Sequence, residues 1–178
     1  MLAETTVPRP IDAAELDARM AEFTELLHAC VIEGASVNFV MPFGKEDAEQ
    51  FWRQKVLPRL GVGRLDLLAI EIDGRIAGSI QLDRDTPPNQ PHRGDVKKVL
   101  VHPTFQRRGL GRQLMAAVEG LAIEKGLSLL TLDTRTGDKG EPLYLSVGFK
   151  AIGVIPGYSR DVHSDRLDAA TFLYKEIG

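Results

Sequence analysis

Between Asp12 and about Ile32 the apolar residues Leu16, Met20, Phe23, Leu27 and Val31 recur every three or four positions, marking one face of an amphipathic helix. The same spacing returns in GKEDAEQFWRQKVLPRLG, residues 44–61. There Ala48, Phe51, Trp52, Val56 and Leu57 form the stripe, and Pro58 disturbs its end. The period then changes. LDLLAIEIDGRIAGSIQLD, residues 65–83, places two β-rich runs around Asp73-Gly74, a strong hairpin signal. Residues 84–94, RDTPPNQPHRG, are rich in proline and polar groups and predict a loop. DVKKVLVHP reads as a strand stopped by Pro103. Leu110, Leu114, Val118 and Leu121 stripe a helix that ends near Gly126. LSLLTLDTR then reads as a buried strand, and GEPLYLSVG as a short helix with Pro142 in its first turn. FKAIGVI and AATFLYKEI read as two closing strands. With no repeat or linker, this order predicts one α/β domain over residues 1–178, built on a mixed sheet.

Composition narrows the classes. A chain of 178 residues, 43% hydrophobic and 26% charged, is an ordinary globular sequence. Its net charge of −3 and its scattered basic residues argue against a nucleic-acid partner. The single cysteine, Cys30, lies in an apolar helical context and reads as a core thiol or, alternatively, a nucleophile. His28, His92, His102 and His163 show no metal-ligand spacing, so no metal is expected. The start of the chain lacks a basic segment followed by an apolar one. No apolar run reaches the roughly 20 residues that span a membrane. The sequence therefore reads as a cytoplasmic protein with no membrane partner, and leaves its oligomeric state open.

The chemistry is concentrated in HPTFQRRGLGRQLMAAVEG, residues 102–120. Gly109 and Gly111 allow backbone N–H groups to approach an anion, and the helix that follows aims its positive end at the same point. Arg107, Arg108 and Arg112 add charge and two-pronged hydrogen bonding suited to phosphate. The plain alternative is a charged turn before a helix. A Walker loop is excluded, because no GxxxxGK run exists. A dinucleotide fingerprint fails at its third glycine, which is Leu114 here, although Asp133 lies at about the right distance to hold a ribose.

VHPTFQRRGLGRQLM resembles the acetyl-coenzyme A signature of the GNAT superfamily of N-acetyltransferases, with Gln106, Gly109 and Gly111 in the places of its Gln/Arg-x-x-Gly-x-Gly/Ala loop. LYLSVGF at 143–149 is similar to a second signature of the superfamily, and one strand separates the two. The resemblance covers about residues 65–176. It implies a mixed, mostly antiparallel sheet with a splayed central strand pair and flanking helices. PNQPHRGDVKKVLVHP, LDTRTGDKGEPLY and GVIPGYSRD are similar, more narrowly, to the tabtoxin-resistance group, which acetylates the amine of a small amino-acid-like toxin. That group more often carries glutamate at the place of Asp95 and an alanine-rich start to the helix that holds Gly140 and Pro142.

The resemblance implies acetyl-CoA as cosubstrate, lying where the strands at 95–101 and 128–134 diverge, with Leu110 in the loop that holds it. Backbone groups of Val99 and Val101 would pair with the pantetheine arm, and an N–H near Leu100 would serve the oxyanion. Tyr144 matches the tyrosine that protonates the departing thiolate; packing or cofactor lining is the other role open to it. Asp95 and Asp133 are placed in the active site, as bases acting through water or as carboxylates that hold a cationic amine. Trp52, Asn38 and Tyr158, the last taken as a loop aromatic, are candidates to line the acceptor pocket. The expected reaction is acetyl transfer to the amine of a small molecule, an amino-acid-like toxin or antibiotic being one candidate. Acetylation of a protein N-terminus or lysine is the enzymatic alternative, and a non-catalytic acyl-CoA sensor is the third.

Overall fold

A computed structural model describes residues 7–178. Seven strands form one sheet in the order β1-β2-β3-β4-β5-β7-β6. They are β1 (Arg9–Ile11), β2 (Leu65–Ile72), β3 (Arg75–Asp83), β4 (Arg93–Val101), β5 (Leu129–Arg135), β6 (Lys150–Arg160) and β7 (Leu167–Glu176). Every neighbouring pair is antiparallel except β4 and β5, which run parallel. That ladder is short: Arg93, Gly94 and Asp95 face Leu129, Leu130 and Thr131, and beyond them the two strands part. The architecture is the mixed, mostly antiparallel sheet with a splayed central pair that was expected.

Helices cover both faces. On one side lie α1 (Ala13–Ala18), α2 (Met20–Ile32), α3 (Lys45–Phe51) and α4 (Leu57–Gly61), over a core that includes Leu16, Phe23, Trp52, Leu67 and Leu100. On the other, α5 (Leu110–Glu124) buries Leu110, Leu114, Met115, Val118 and Ala122 against Ile70, Ile80, Leu130 and Leu132. The helix α6 (Gly140–Ser146) follows β5.

The Asp73-Gly74 hairpin forms as read, with φ of 50° and 73° at the two turn residues. Two positive φ angles give the turn a twist that matches its flanking strands. Other boundaries differ for identifiable reasons. The continuous helix expected over 12–32 breaks at Arg19, whose φ and ψ are −108° and 22°. Its guanidinium is held there by Glu22 and Glu71, each at 2.8 Å, and by the Gly74 carbonyl at 3.0 Å. Asp12 caps α1 by accepting from the Glu15 N–H at 2.8 Å. The helix over 44–61 widens into a π-helical turn at Trp52–Val56, where the Leu57 N–H bonds the Trp52 carbonyl. Pro58 has no N–H, and its ring crowds the carbonyl four residues back, so the preceding turn opens. β1 contains Pro10 and was not expected; an edge strand tolerates a residue that cannot donate. β6 continues to Arg160, and a register shift between Ile155 and Ser159 absorbs Pro156 and Gly157.

Candidate active site

Where β4 and β5 part, a cleft of about 690 Å³ opens, with the end of α2 and the residues after it as its opposite wall. Val99, Leu100 and Val101 form one side of it, and Gln106, Arg107 and Gly109 its head. The chain turns at the head with positive φ at Arg107 (61°) and Gly109 (79°), then enters α5. The first helical bond of that turn runs from Gln113 to the Gly109 carbonyl, and the backbone N–H groups of residues 107–112 donate to no other described protein group. Six unpaired donors at the positive end of a 15-residue helix make a receptor for an anion. Gly111 packs closely, and a Cβ there would meet Leu143 Cδ2 at 3.0 Å, so that methyl would have to give way. Leu110 and Gly111 also line the cleft. Arg108 and Arg112 do not: the Arg108 guanidinium lies 5.5 Å from the Phe105 ring centre, and Arg112 donates to Ser146 Oγ at 2.9 Å.

Tyr144 closes the other end of the cleft. It is 9% exposed and packs edge-on against Phe149. Gly140 makes room for it, because a Cβ at 140 would sit 3.0 Å from the tyrosine ring. Burial, with the charges of Asp138 and Asp133, pushes the phenol above its ordinary pKa, so its proton stays in place at neutral pH. No described protein group bonds its hydroxyl.

The two carboxylates differ. Asp95 is the last β4 residue paired with β5 and is bonded by the Arg93 guanidinium and the Thr131 hydroxyl. Asp133 lies two residues further along β5, where the strands have parted. It is exposed and bonds no described side chain. Opposite it on β7 is Phe172, whose ring Tyr158 meets edge-on at 5.2 Å. Tyr158 therefore belongs to strand β6, not to a loop.

Trp52 requires a correction. It is fully buried, donates its indole N–H to the Phe23 carbonyl at 2.8 Å, and does not line this cleft. Asn38 lies exposed on the loop after α2 with φ of 71° and is not brought to the cleft wall. Next to Val99 in the cleft wall, Lys98 lies between Phe39 and Phe51, with its Nζ 5.6 Å from the centre of each ring. The alternation of DVKKVLVHP gave no sign of this, because the bulge that turns Lys98 is a matter of pairing. Cys30 lines the cleft too, donating to the Val101 carbonyl at 3.5 Å. Burial first, then Glu33, pushes its thiol up to about 12, which removes it as a nucleophile. Among the described residues no three His, Cys, Asp or Glu gather as a metal site, and no helix is long and apolar enough to cross a membrane.

Comparison with known proteins adds a family. The model of the acetyltransferase (GNAT) family matches residues 30–149. An uncharacterized N-acetyltransferase of Azospirillum brasilense, in the hisH-hisA intergenic region, is 35% identical over 114 residues. That match takes in 61% of this chain and 64% of the relative, so the chain spans less than two thirds of that relative's length. Among solved structures, yncA of Salmonella typhimurium with its cofactor acetyl-CoA superposes with a TM-score of 0.77 at 20% identity. The superposition covers 98% of this chain and 94% of that one. The ribosomal-protein-alanine N-acetyltransferase of Brucella melitensis gives 0.75, also at 20%, covering 97% and 100%. Both likenesses are of fold.

Proposed function

Because the chain belongs to the acetyltransferase (GNAT) family, we propose that it moves an acetyl group from acetyl-CoA to a primary amine of a small molecule. An amino-acid-like toxin, as in the tabtoxin-resistance group, is one acceptor of the right kind. The observation that carries this reading is the row of six unpartnered N–H groups at residues 107–112, facing a cleft that ends at a protonated tyrosine.

The cosubstrate brings an acetyl group activated as a thioester and a thiolate that can leave. The amides of 107–112 and the Arg107 side chain hold its pyrophosphate, with the α5 dipole behind them. Freed from pairing with β5, the backbone of Val99 and Val101 serves the amide-bearing arm. A main-chain N–H near Leu100 faces the developing oxyanion. Tyr144 keeps its proton until sulfur departs, then donates to it, and is reprotonated by the second proton that the nitrogen sheds as it becomes an amide. Asp133, hydrogen-bonded to no described side chain, attracts the cationic amine and passes the amine's proton to water. Asp95, fixed by Arg93 and Thr131, holds the apex of the wedge and orients that water. A groove-bound protein N-terminus remains the competing acceptor.

Thermal unfolding with acetyl-CoA tests the reading. Ligand at 100 times its Kd stabilises by about 2.7 kcal/mol, a rise of about 7 °C for a domain this size. The rise should shrink in Arg107→Ala, which removes the side-chain charge but leaves the backbone amides, and should stay unchanged in Arg108→Ala. Tyr144→Phe should keep the rise while lowering kcat for thiol release about 100-fold. No shift at millimolar acetyl-CoA would overturn the assignment, and transfer to peptides but to no small amine would move it to the protein acceptor.

A further inference from the structure

Beside Val99 in the cleft wall, one charged side chain makes no ion pair with any described residue. β3 and β4 slip register between Ser79 and Gln81, so that Lys98 and Val99 together stand opposite Ile80. Lys98 takes φ of +50° at this bulge, a conformation costly for a residue with a Cβ. The slip carries its side chain onto the face of the sheet that holds Asp95 and Asp133, between Phe39 and Phe51. Neighbouring cations are all matched: Lys97 bonds Asp83 at 2.9 Å, and Arg93 bonds Asp95. Among the described residues, Lys98 makes no ion pair within 4.0 Å. Its ammonium is half-buried against two rings, where a charge lacking its anion is expensive. Burial and Lys97 lower its pKa to about 8, against the pull of Asp133, so it is still mostly charged at pH 7. Strain and desolvation concentrated on one residue beside a reaction cleft indicate use.

We propose that Lys98 is the anion anchor of the acceptor pocket, and that the acceptor is an amine that also carries a carboxylate, as a free amino acid does. The inference rests on the acetyl-transfer reading above and names its substrate class. The ammonium is drawn to Asp133 on β5 and the carboxylate to Lys98 on β4. The two side chains lie on neighbouring strands, on one face of the sheet, and form no ion pair within 4.0 Å. Phe39 and Phe51 keep water from the Lys98 end, which strengthens the pairing. The same cation repels an acceptor that is only cationic, such as a polyamine or a lysine side chain in a basic peptide. Selection therefore comes from repulsion as well as attraction.

The test compares matched acceptors: common amino acids, their α-carboxamides and their decarboxylated amines, with CoA thiol release as the readout. Wild type is expected to favour acid over carboxamide by about 30-fold in kcat/KM, the size of a desolvated charge-assisted contact. Lys98→Met, which keeps the contact with both rings, should bring that ratio near one by raising KM for the acid. Its kcat for the acid and its KM for the carboxamide should change little. Lys98→Arg should restore part of the preference. Lys98→Met should unfold at the wild-type temperature or above, so a folding defect would not mimic the result. Equal use of acid and carboxamide by wild type overturns the proposal, as does a Lys98→Met variant that weakens both alike. If acetyl-CoA raises the unfolding temperature but no amino acid is acetylated, the anchor is refuted while the family chemistry stands. If acetyl-CoA produces no shift, the parent reading fails and this one falls with it.

Discussion

Adding one methyl group at Gly78 should disturb both the stability of the protein and its hold on acetyl-CoA. Gly78 pairs with Val101 on one side and Ile70 on the other. A Cβ there would lie 2.8 Å from the Leu100 carbonyl oxygen, 3.2 Å from Leu114 Cδ1 and 3.4 Å from Ile70 Cγ2. The two methyl groups can rotate aside, but the carbonyl belongs to β4 and moves only with the strand. Overpacking of this kind costs about 1–3 kcal/mol. The stiffer unfolded chain of the alanine variant offsets about 0.5–1 kcal/mol. A net loss of about 1–2 kcal/mol lowers the unfolding temperature by about 3–5 °C, at about 2.1 cal/mol/K per residue. Because Val99, Leu100 and Val101 form the cleft wall, the same displacement should weaken acetyl-CoA binding by about tenfold, or about 1.4 kcal/mol. Gly120→Ala is the control. It lies inside α5 with open space around its Cβ, and should stabilise by about 0.8–1 kcal/mol without touching affinity. Scanning calorimetry and titration calorimetry on the two variants read both quantities. A Gly78→Ala variant that melts and binds like wild type would refute the argument, and so would one that loses no more affinity than the control.

Cys30 should resist iodoacetamide at pH 8 for hours in the folded protein and react within minutes in denaturant, since burial holds its thiol at about 12. Comparable labelling rates in the two states would contradict that, with mass spectrometry as the readout. Asp83 gives a pH dependence. Burial opposes its ionisation, but hydrogen bonds from Arg59 at 2.6 Å, Lys97 at 2.9 Å and the Asp85 N–H hold it below the ordinary carboxylate range. A pKa lowered by folding contributes stability that is complete above the unfolded value of about 3.9 and is lost as pH falls through the folded one. Below about pH 4 the unfolding temperature should therefore drop more steeply in wild type than in Asp83→Asn. Parallel slopes would show that the carboxylate is not responsible.

Local chemistry is what the sequence exposed well. Asp73-Gly74 announces its hairpin because two left-handed residues are a property of two positions. Gln106 to Gly111 announces its loop because the strand, glycines and helix are consecutive. Pairing and tertiary contact were hidden. Nothing in the spacing of Leu16 and Met20 betrays the break at Arg19, since both residues still reach the core and the break depends on Glu71 and Gly74 far along the chain. Lys97 and Lys98 look alike until a one-residue slip against β3 sends one to Asp83 and the other between two rings. Trp52 could equally have faced a ligand, and only the Phe23 carbonyl waiting for its N–H decides otherwise. Pro156-Gly157 reads as a turn, yet an edge strand can carry it by losing register.

The short ladder between β4 and β5 also bears on how the chain acquires its site. The strands on one side come from residues 9–101 and those on the other from 129–176. Each block is antiparallel, so each can form through comparatively local closures. Joining them requires only three paired positions on either strand and the apolar face of α5 laid across both. The cleft belongs to neither block, and it comes into existence when they dock. Binding competence thus requires the joint to be closed, and a variant that weakens the joint alone should lose its ligand while both halves keep their strands.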